Sequence, residues 1–270
     1  MPAGLKDYGF FRELAERALA RFGACHIARF NGYMLKTAPV FLSGESQPGI
    51  SHEPPGAEFA RAYLRPGDQF ADIGAGPGAL SLIAASLVRA EGRIVAVEPH
   101  PRIYGYLRDN VALNGFQNVF TVRAAAAGAK GFLRISDFRA AGFNRVCLFG
   151  GKPADADTLD GLLWRLENKI ALVNVSVNGY EAFAFAGAGE TLARTDAVCF
   201  ELARCALGRY GADAAAALAP LAKAGLAPCR FNGQNIEALP AGSEPPDGFY
   251  CAVRDIAACN ARLAVKTAVK

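Results

Sequence analysis

Apolar residues follow two alternating patterns along most of the chain. Short apolar runs bounded by glycine, proline or polar residues are typical of buried strands, and apolar residues three or four positions apart are typical of helices. The first pattern predicts strands at residues 69–73, 93–97, 119–122, 146–149, 170–175, 198–202, 227–231 and 249–253, the last two as a hairpin-like pair. The second predicts helices at residues 58–64, 80–88, 102–113 and 214–217. Strands that alternate with helices form βαβ units, so the sequence predicts a doubly wound α/β fold with a mainly parallel sheet covered on both faces.

The first 57 residues differ from the rest of the chain. Residues 8–22 have the spacing of an amphipathic helix, and residues 43–57 are rich in Ser, Gly and Pro, which favour loops. We therefore expect an N-terminal helical segment and loop at 1–57, suited to act as a lid over a substrate site. The main domain is expected at 58–270.

The composition is that of a globular protein in a reducing compartment. Of the 270 residues, 52% are hydrophobic, which is enough for a sizeable core. The net charge of +4, without a dense Lys/Arg block, predicts no nucleic-acid partner. We find no signal peptide and no run that reaches the ~18 apolar residues of a membrane span, so we expect a soluble, cytoplasmic protein with no membrane partner. Seven cysteines without a C-x-x-C pair favour buried, reduced thiols.

The strongest candidate for a binding site is the segment Asp72-Ile73-Gly74-Ala75-Gly76-Pro77-Gly78, which lies between a predicted strand and a predicted helix. Glycines at this point let the backbone turn tightly and let a ligand approach without meeting a Cβ atom. The next predicted strand is followed by Glu98, whose carboxylate can accept hydrogen bonds from both hydroxyls of a ribose. Strand, glycine loop, helix, strand and acid, in this order, predict a nucleoside-binding site.

Two nucleoside cofactors compete for this site. Gly74, Gly76 and Ala79 satisfy the G-x-G-x-x-A pattern of NAD-binding loops, so an NAD-dependent dehydrogenase is one interpretation. A carboxylate near the loop would, however, repel the pyrophosphate of a dinucleotide. S-adenosylmethionine has no phosphate, and its sulfonium and ammonium groups suit a site that contains Asp72. We therefore favour S-adenosylmethionine as the cofactor.

The glycine loop, together with the segment Gly92 to Pro101, resembles the class I methyltransferases. Further segments resemble the FkbM-type family in particular: Leu107 to Gly115 with Asn118-Val119, Thr158 to Leu163, and Val173 to Glu181. The resemblance covers residues 58–205. It implies a Rossmann-like methyltransferase fold with a seven-stranded sheet, and O-methylation of a hydroxyl on a small molecule or sugar.

The resemblance also implies roles for individual residues. Around the methionine part of the cofactor it places Asp72, Gly74, Ala75, Gly76 and Gly78, and at the ribose it places Glu98. Beside the adenine it places Pro99 and His100, with Ala124 and Ala125 under the ring. Simpler interpretations stay open: Asp72 as a cap of the turn, His100 as an exposed residue, and the two alanines as plain packing.

The acceptor side departs from the family pattern. Ser176 and Asn178 stand where the family has two carboxylates, and neither is a useful base near pH 7, although both can position an acceptor. Glu181 is the first candidate for a base or for orienting the acceptor, and His52 and His26 come second. The catalytic candidates are therefore Glu181, Asn178 and Ser176, and no ligand cluster predicts a metal.

The departure at these two positions keeps a second hypothesis open. A chain that has lost both carboxylates could retain the fold as a non-catalytic protein that binds S-adenosylmethionine or a partner. The first hypothesis is an O-methyltransferase whose partner is a small-molecule hydroxyl acceptor. The sequence leaves the oligomeric state open and is compatible with a homodimer.

Overall fold

The computed structural model describes residues 26–37, 53–138, 144–240 and 245–267. The strands are β1 (His26–Phe30), β2 (Tyr33–Thr37), β3 (Gln69–Ile73), β4 (Arg93–Val97), β5 (Val119–Val122), β6 (Ala125–Ala126), β7 (Gly131–Ile135), β8 (Lys152–Asp157), β9 (Ile170–Val175), β10 (Thr195–Leu202), β11 (Ala227–Phe231), β12 (Ile236–Ala238) and β13 (Gly248–Val253). The helices are α1 (Ala57–Tyr63), α2 (Ala79–Val88), α3 (Pro101–Leu113), α4 (Leu159–Leu162), α5 (Glu181–Ala186), α6 (Gly189–Ala193), α7 (Arg204–Gly208), α8 (Ala214–Lys223) and α9 (Ile256–Thr267).

The main sheet has the strand order β12-β11-β13-β10-β9-β3-β4-β5. The five strands from β10 to β5 are parallel, and β13, β11 and β12 each pair antiparallel with their neighbours. This arrangement confirms the predicted α/β Rossmann-like fold with a mainly parallel sheet. The sheet has eight strands instead of the expected seven, because the short strand β12 extends the antiparallel edge.

Helices cover both faces of this sheet, and each face has its own hydrophobic core. One core includes Phe59 of α1, Leu82 of α2 and Leu107 of α3. The other includes Phe185 of α5 and Leu221 of α8. Since side chains alternate along a strand, each parallel strand contributes to both cores, which explains why these strands are continuously apolar in sequence.

A small second sheet, with the order β6-β8-β7, is formed by the part of the chain between β5 and β9 in sequence. The predicted strand at 146–149 is wrong: Val146 forms a single isolated bridge, and the side chains of Leu148 and Phe149 are 86% and 89% exposed. The strand actually formed, β8, pairs antiparallel with β7 and parallel with β6. Its sequence Lys-Pro-Ala-Asp-Ala-Asp is too polar for the apolar-run criterion.

The described part of the N-terminal segment is a β-hairpin, β1–β2, and not a helix. Its turn is Asn31-Gly32, and both residues have positive φ, as the tight turn of a two-residue hairpin requires. The side chains of Asn110 and Asn114 on α3 hydrogen-bond to the backbone of β2 and attach the hairpin to the main domain. The helix predicted at 8–22 lies outside the described residues, and the division at residue 57 stays a prediction.

Six cysteines lie in the described ranges, and all are free thiols. The prediction of buried thiols is confirmed for Cys199, Cys229, Cys251 and Cys259, whereas Cys205 is exposed. Within the same ranges, no helix combines the length and the hydrophobicity needed to cross a membrane.

Candidate functional site

The candidate site lies at the carboxyl ends of the parallel strands, where the strand order reverses. From β3 the chain continues to β4 and β5 on one side, and β9 and β10 lie on the other side. In open α/β sheets, ligands bind in the crevice that forms at this reversal. The glycine loop follows β3, Glu98 follows β4, and Ser176 follows β9, so the topology brings these three predicted positions together.

Gly74 and Gly76 of the loop are glycines for different structural reasons. A Cβ atom on Gly74 would lie 2.0 Å from the carbonyl oxygen of Ser176, so close backbone approach between the ends of β3 and β9 requires glycine there. The amides of Gly74 and Ala75 both donate to the carbonyl of Val97, at 2.9 Å each, and fix the loop to β4. A Cβ atom on Gly76 would meet no described atom within 4 Å. Gly76 therefore borders open space that a ligand can occupy.

Glu98 holds the glycine loop in place. Its Oε2 accepts a hydrogen bond from the amide of Gly76 at 3.0 Å, and its Oε1 accepts one from the amide of His100 at 2.8 Å. The side chain is only 6% exposed, and this burial raises the pKa of Glu98 to about 7. Each carboxylate oxygen has a second lone pair, so Glu98 can hold the loop and still accept a hydrogen bond from a ligand hydroxyl.

Asp72 is completely enclosed at the end of β3. Its Oδ2 accepts a hydrogen bond from Ser81 Oγ of α2 at 2.6 Å, and its Oδ1 accepts one from Asn174 Nδ2 of β9 at 3.1 Å. Burial raises the pKa of this carboxyl to about 6, although these hydrogen bonds oppose the rise. Asp72 therefore ties β3, α2 and β9 together. Both hydrogen bonds come from side chains outside the turn, so the simpler interpretation of Asp72 as a cap of the turn stays a prediction.

The site fits a cationic nucleoside. Asp72 and Glu98 are both buried carboxyls, and among the described residues no cation contributes to the pKa of either. A ligand that brings positive charge would stabilise the ionised forms of both groups. S-adenosylmethionine brings a sulfonium and an ammonium group, and the space in front of Gly76 leaves the loop accessible to it. S-adenosylmethionine is the cofactor that these residues suit.

The residues expected beside the adenine are more buried than the sequence indicates. His100 is 1% exposed, and its Nε2 lies 3.0 Å from Asp137 Oδ1, so the interpretation of His100 as an exposed residue is wrong. Burial lowers the pKa of His100, and its Nδ1 has no partner among the described residues. Pro99 is half-buried, whereas Ala124 and Ala125 lie in two separate hydrophobic clusters. Their roles at the adenine stay predictions.

Two acceptor-side candidates, Ser176 and Asn178, lie in the loop between β9 and α5, and Glu181 is the first residue of α5. The amide of Ser176 donates to the carbonyl of Ile73 at 2.9 Å, and Asn178 has a positive φ of 54°. Glu181 is 2% exposed, and its Oε1 accepts hydrogen bonds from the amides of Val177 and Gly179 at 3.3 and 3.2 Å. Burial raises the pKa of Glu181. One oxygen of this carboxyl therefore stabilises the loop, and the other is available for a ligand.

The two histidines considered as bases, His26 and His52, belong to the N-terminal segment. His26 is the first residue of β1, and the environment of its side chain lies outside the described part of the chain. His52 also lies outside it. Glu181 therefore stays the first candidate.

Two asparagines near the crevice were not predicted. Asn174 binds Asp72 from the neighbouring strand, and the signal for it is a single polar residue within the apolar run Ile-Ala-Leu-Val-Asn-Val. The fully buried Asn110 donates from Nδ2 to the carbonyl of Pro77 in the glycine loop and to the carbonyl of Lys36 in β2, at 2.8 Å each. Asn110 therefore connects the N-terminal hairpin with the cofactor loop.

Comparison with known proteins gives a partial sequence match. Residues 49–146 match the family model of protein-L-isoaspartate(D-aspartate) O-methyltransferases. The protein-L-isoaspartate O-methyltransferase of Aeropyrum pernix is 39% identical over 67 residues, which cover 25% of this chain and 25% of that protein. The enzyme of the same name from Methanopyrus kandleri is 29% identical over 103 residues, which cover 38% of this chain and 42% of that protein. The chain therefore matches less than half the length of these relatives.

A solved structure covers more of the chain at lower identity. The precorrin-6y C5,15-methyltransferase from Geobacter metallireducens aligns with a TM-score of 0.43 and 18% identity. The alignment covers 73% of this chain and 85% of that chain.

These findings correct two expectations from the sequence. The FkbM-type family is not supported, since the family model that matches is that of the isoaspartate methyltransferases. The expected small-molecule hydroxyl acceptor is contradicted, because both matched relatives are named for a protein substrate. The fold is a Rossmann-like α/β fold, and residues 49–146 are similar in sequence to a methyltransferase family, the protein-L-isoaspartate(D-aspartate) O-methyltransferases.

Proposed function

We propose that this protein transfers the methyl group of S-adenosylmethionine to a carboxylate oxygen on a peptide or protein, with an isoaspartyl residue as the acceptor. The observation that carries the donor assignment is the pair of buried carboxyls, Asp72 and Glu98, beside a glycine loop that is open in front of Gly76. The acceptor assignment is supported by the names of the matched relatives and by the chemistry at the end of β9.

A carboxylate acceptor explains why the end of β9 carries no carboxylate base. A hydroxyl acceptor must lose its proton during attack, and Ser176 and Asn178 cannot take it near pH 7. A carboxylic acid has an ordinary pKa near ~4, so it is already ionised and needs no base. Ser176 and Asn178 are polar and uncharged, so they place no negative charge there that would repel an anionic acceptor.

The transfer itself balances without an additional group. S-adenosylmethionine, when bound, supplies a methyl carbon activated by the sulfonium. The acceptor oxygen forms a bond to this carbon while the carbon–sulfur bond breaks, and the electron pair stays on sulfur. The products are a methyl ester and S-adenosylhomocysteine. The contribution of the chain is proximity and orientation, for which the rigid ends of β3, β4 and β9 are suited.

The chemical stability of the product tests this proposal. The protein is incubated with methyl-tritiated S-adenosylmethionine and a peptide that carries one isoaspartyl residue. We expect tritium in the peptide and its release as volatile methanol in mild alkali, because methyl esters hydrolyse there and methyl ethers do not. A matched peptide with a normal aspartyl residue is the control for acceptor choice. Alkali-stable label, or no label on any carboxylate peptide, would contradict the carboxylate acceptor.

Donor binding is measured separately by thermal unfolding. At about 100 times its Kd, a ligand selective for the native state adds about 2.7 kcal/mol of stability. Stabilisation by S-adenosylmethionine without methylation of any peptide would favour the non-catalytic donor-binding hypothesis. Stabilisation by NAD alone would favour the dehydrogenase hypothesis. A dinucleotide is disfavoured, since the amide of Gly76 that would face a phosphate already donates its hydrogen bond to the carboxylate of Glu98.

A further inference from the structure

A cavity of about 190 Å³ opens at the carboxyl ends of β9 and β10. Its lining residues come from the β9–α5 loop, the end of β10, helix α7 and the segment before β8. They are Arg145, Asn178, Gly179, Glu181, Glu201, Ala203, Cys205, Ala206 and Arg209. The volume is below the ~300–1,000 Å³ of sites for drug-sized ligands, so the cavity suits a single amino-acid residue.

The β9–α5 loop places this cavity directly beside the cofactor crevice. The backbone of Ser176 contacts Gly74 of the cofactor loop, and Asn178, two residues later, lines the cavity. Glycine at position 179 allows the β9–α5 loop to pack against α7, because a Cβ atom there would lie 2.4 Å from the backbone of Ala206. A ligand in the cavity would therefore lie beside the end of β9, whose backbone at Ser176 approaches the cofactor loop.

Two arginines give one side of the cavity a positive field. Arg145 and Arg209 both line it, and both lower the pKa of the nearby Tyr210, which burial raises overall. Guanidinium groups are well matched to carboxylates because they offer several N–H donors in a planar arrangement. The arginine side therefore suits an acceptor carboxylate.

The lining of the cavity also contains an unsatisfied buried oxygen. Glu181 is 2% exposed, its Oε1 is used by the loop amides, and its Oε2 has no hydrogen-bond partner among the described residues. A buried polar atom without a partner carries a free-energy penalty that a bound ligand can remove. Glu201, which also lines the cavity, adds negative charge to the lining. The two acidic residues suit an amide N–H and disfavour a multiply charged anion such as phosphate.

We infer that this cavity is the acceptor site, where Arg145 and Arg209 bind the carboxylate of the acceptor residue and Glu181 accepts a hydrogen bond from its neighbouring peptide N–H. The inference rests on the proposed function and deepens it by assigning the acceptor to named residues. All three residues would contact the acceptor directly, whereas the donor lies at the glycine loop.

The inference is tested by peptide binding, independently of turnover. The full chain is saturated with S-adenosylhomocysteine and titrated against a fluorescein-labelled hexapeptide with one isoaspartyl residue. A second hexapeptide carries the same β-linkage with a neutral side amide in place of the carboxylate. Binding is followed by fluorescence anisotropy for the wild type, Arg145→Ala, Arg209→Ala and Glu181→Gln. Arg108→Ala is the matched control, since Arg108 is 67% exposed on α3 and pairs with Asp109.

We expect each arginine variant to bind the isoaspartyl peptide at least tenfold more weakly and to lose the preference over the neutral peptide. Arg108→Ala should bind like the wild type, and the Kd for S-adenosylhomocysteine should be unchanged in all arginine variants, which shows that they are folded. Unchanged peptide binding in both arginine variants, or no peptide binding by a donor-competent wild type, would overturn the inference.

The two proposals fail in different ways. Arginine-dependent peptide binding without an alkali-labile methyl ester would support the acceptor site and contradict the proposed activity. Methyl ester formation with unchanged KM for the peptide in Arg145→Ala and Arg209→Ala would support the activity and overturn the acceptor site. If Glu181→Gln is too unstable to purify, the arginine variants alone decide the result.

Discussion

Replacing Glu98 with Gln should separate donor binding from folding. Glu98 has two roles in the structure: it accepts hydrogen bonds from the amides of Gly76 and His100, and it is a buried acid without a cationic partner among the described residues. Gln keeps the size and one acceptor oxygen but cannot ionise. The variant therefore loses one hydrogen bond to the backbone and also loses the cost of a buried charge.

The two effects on stability have opposite signs above neutral pH. The pKa of Glu98 is about 7 in the folded protein against an ordinary value of 4.5, so the folded protein binds this proton more tightly than the unfolded chain. The resulting stability is fully present below about pH 4.5 and is lost as the pH rises to about 7, a loss of about 3 kcal/mol. Gln does not undergo this loss, whereas its missing hydrogen bond costs about 1–3 kcal/mol at every pH.

We therefore expect Glu98→Gln to be less stable than the wild type at about pH 5, and equally or more stable at about pH 8. At pH 8, where the variant is equally or more stable, its affinity for the donor should be lower than that of the wild type. Charged hydrogen bonds contribute about 1.5–3 kcal/mol, so loss of the carboxylate should weaken S-adenosylmethionine binding by about ten- to a hundredfold at pH 8.

Urea unfolding at both pH values and titration calorimetry at about pH 8 measure these quantities. Glu167→Gln is the control, since Glu167 is 72% exposed. A variant that is destabilised equally at both pH values would contradict the argument from burial. Unchanged donor affinity would remove Glu98 from the cofactor site.

Three further predictions concern the surroundings of the loop. Gly74→Ala should unfold at a clearly lower urea concentration than Gly76→Ala, because only the Gly74 variant places a Cβ atom against Ser176. Gly76→Ala should lower the free energy of unfolding by about 1 kcal/mol. Titration calorimetry should nevertheless detect no donor binding by the Gly76 variant. Asp72→Asn should flatten the fall in ligand-free stability between about pH 4 and pH 6, since the raised pKa of Asp72 causes part of that fall, and equal slopes for both proteins would contradict this. Asn110→Ala should lower the free energy of unfolding by about 2–4 kcal/mol because one buried and two half-buried hydrogen bonds to the backbone are lost, and the comparison is Asn114→Ala at the position directly after α3.

The sequence predicts the parallel strands well because they are buried on both faces. Strands β3, β4, β5 and β9 have the predicted bounds, since each is mainly apolar and is followed by a polar or glycine residue. The small sheet was missed for the opposite reason: β8 alternates polar and small residues, and the more apolar segment before it is exposed. Local hydrophobicity cannot identify a strand whose pairing depends on neighbours elsewhere in the chain.

The sequence predicts those parts of the candidate site that a single stretch of the chain is sufficient to identify. The glycine loop and Glu98 are recognisable because their spacing follows from the βαβ unit. The partners of Asp72 could not be predicted in the same way, because Ser81 and Asn174 come from a helix and from a strand that is distant in sequence. The small-molecule hydroxyl acceptor was wrong because it followed from the FkbM-type resemblance alone, and the matched relatives are named for a protein substrate.

The reaction changes the charge that the two buried acids experience. The sulfonium of the donor is positive, and the thioether of the product is neutral, so Asp72 and Glu98 lose part of their stabilisation when the methyl group leaves. Their pKa values of about 6 and 7 in the ligand-free protein lie close to neutral pH, which makes a change in their ionisation accessible. Binding of the donor should therefore release more protons than binding of S-adenosylhomocysteine near pH 7, and the preference for donor over product should increase with pH. Calorimetry in buffers of different ionisation enthalpy measures this difference directly. Equal proton release for both ligands would show that neither carboxyl responds to the charge on sulfur.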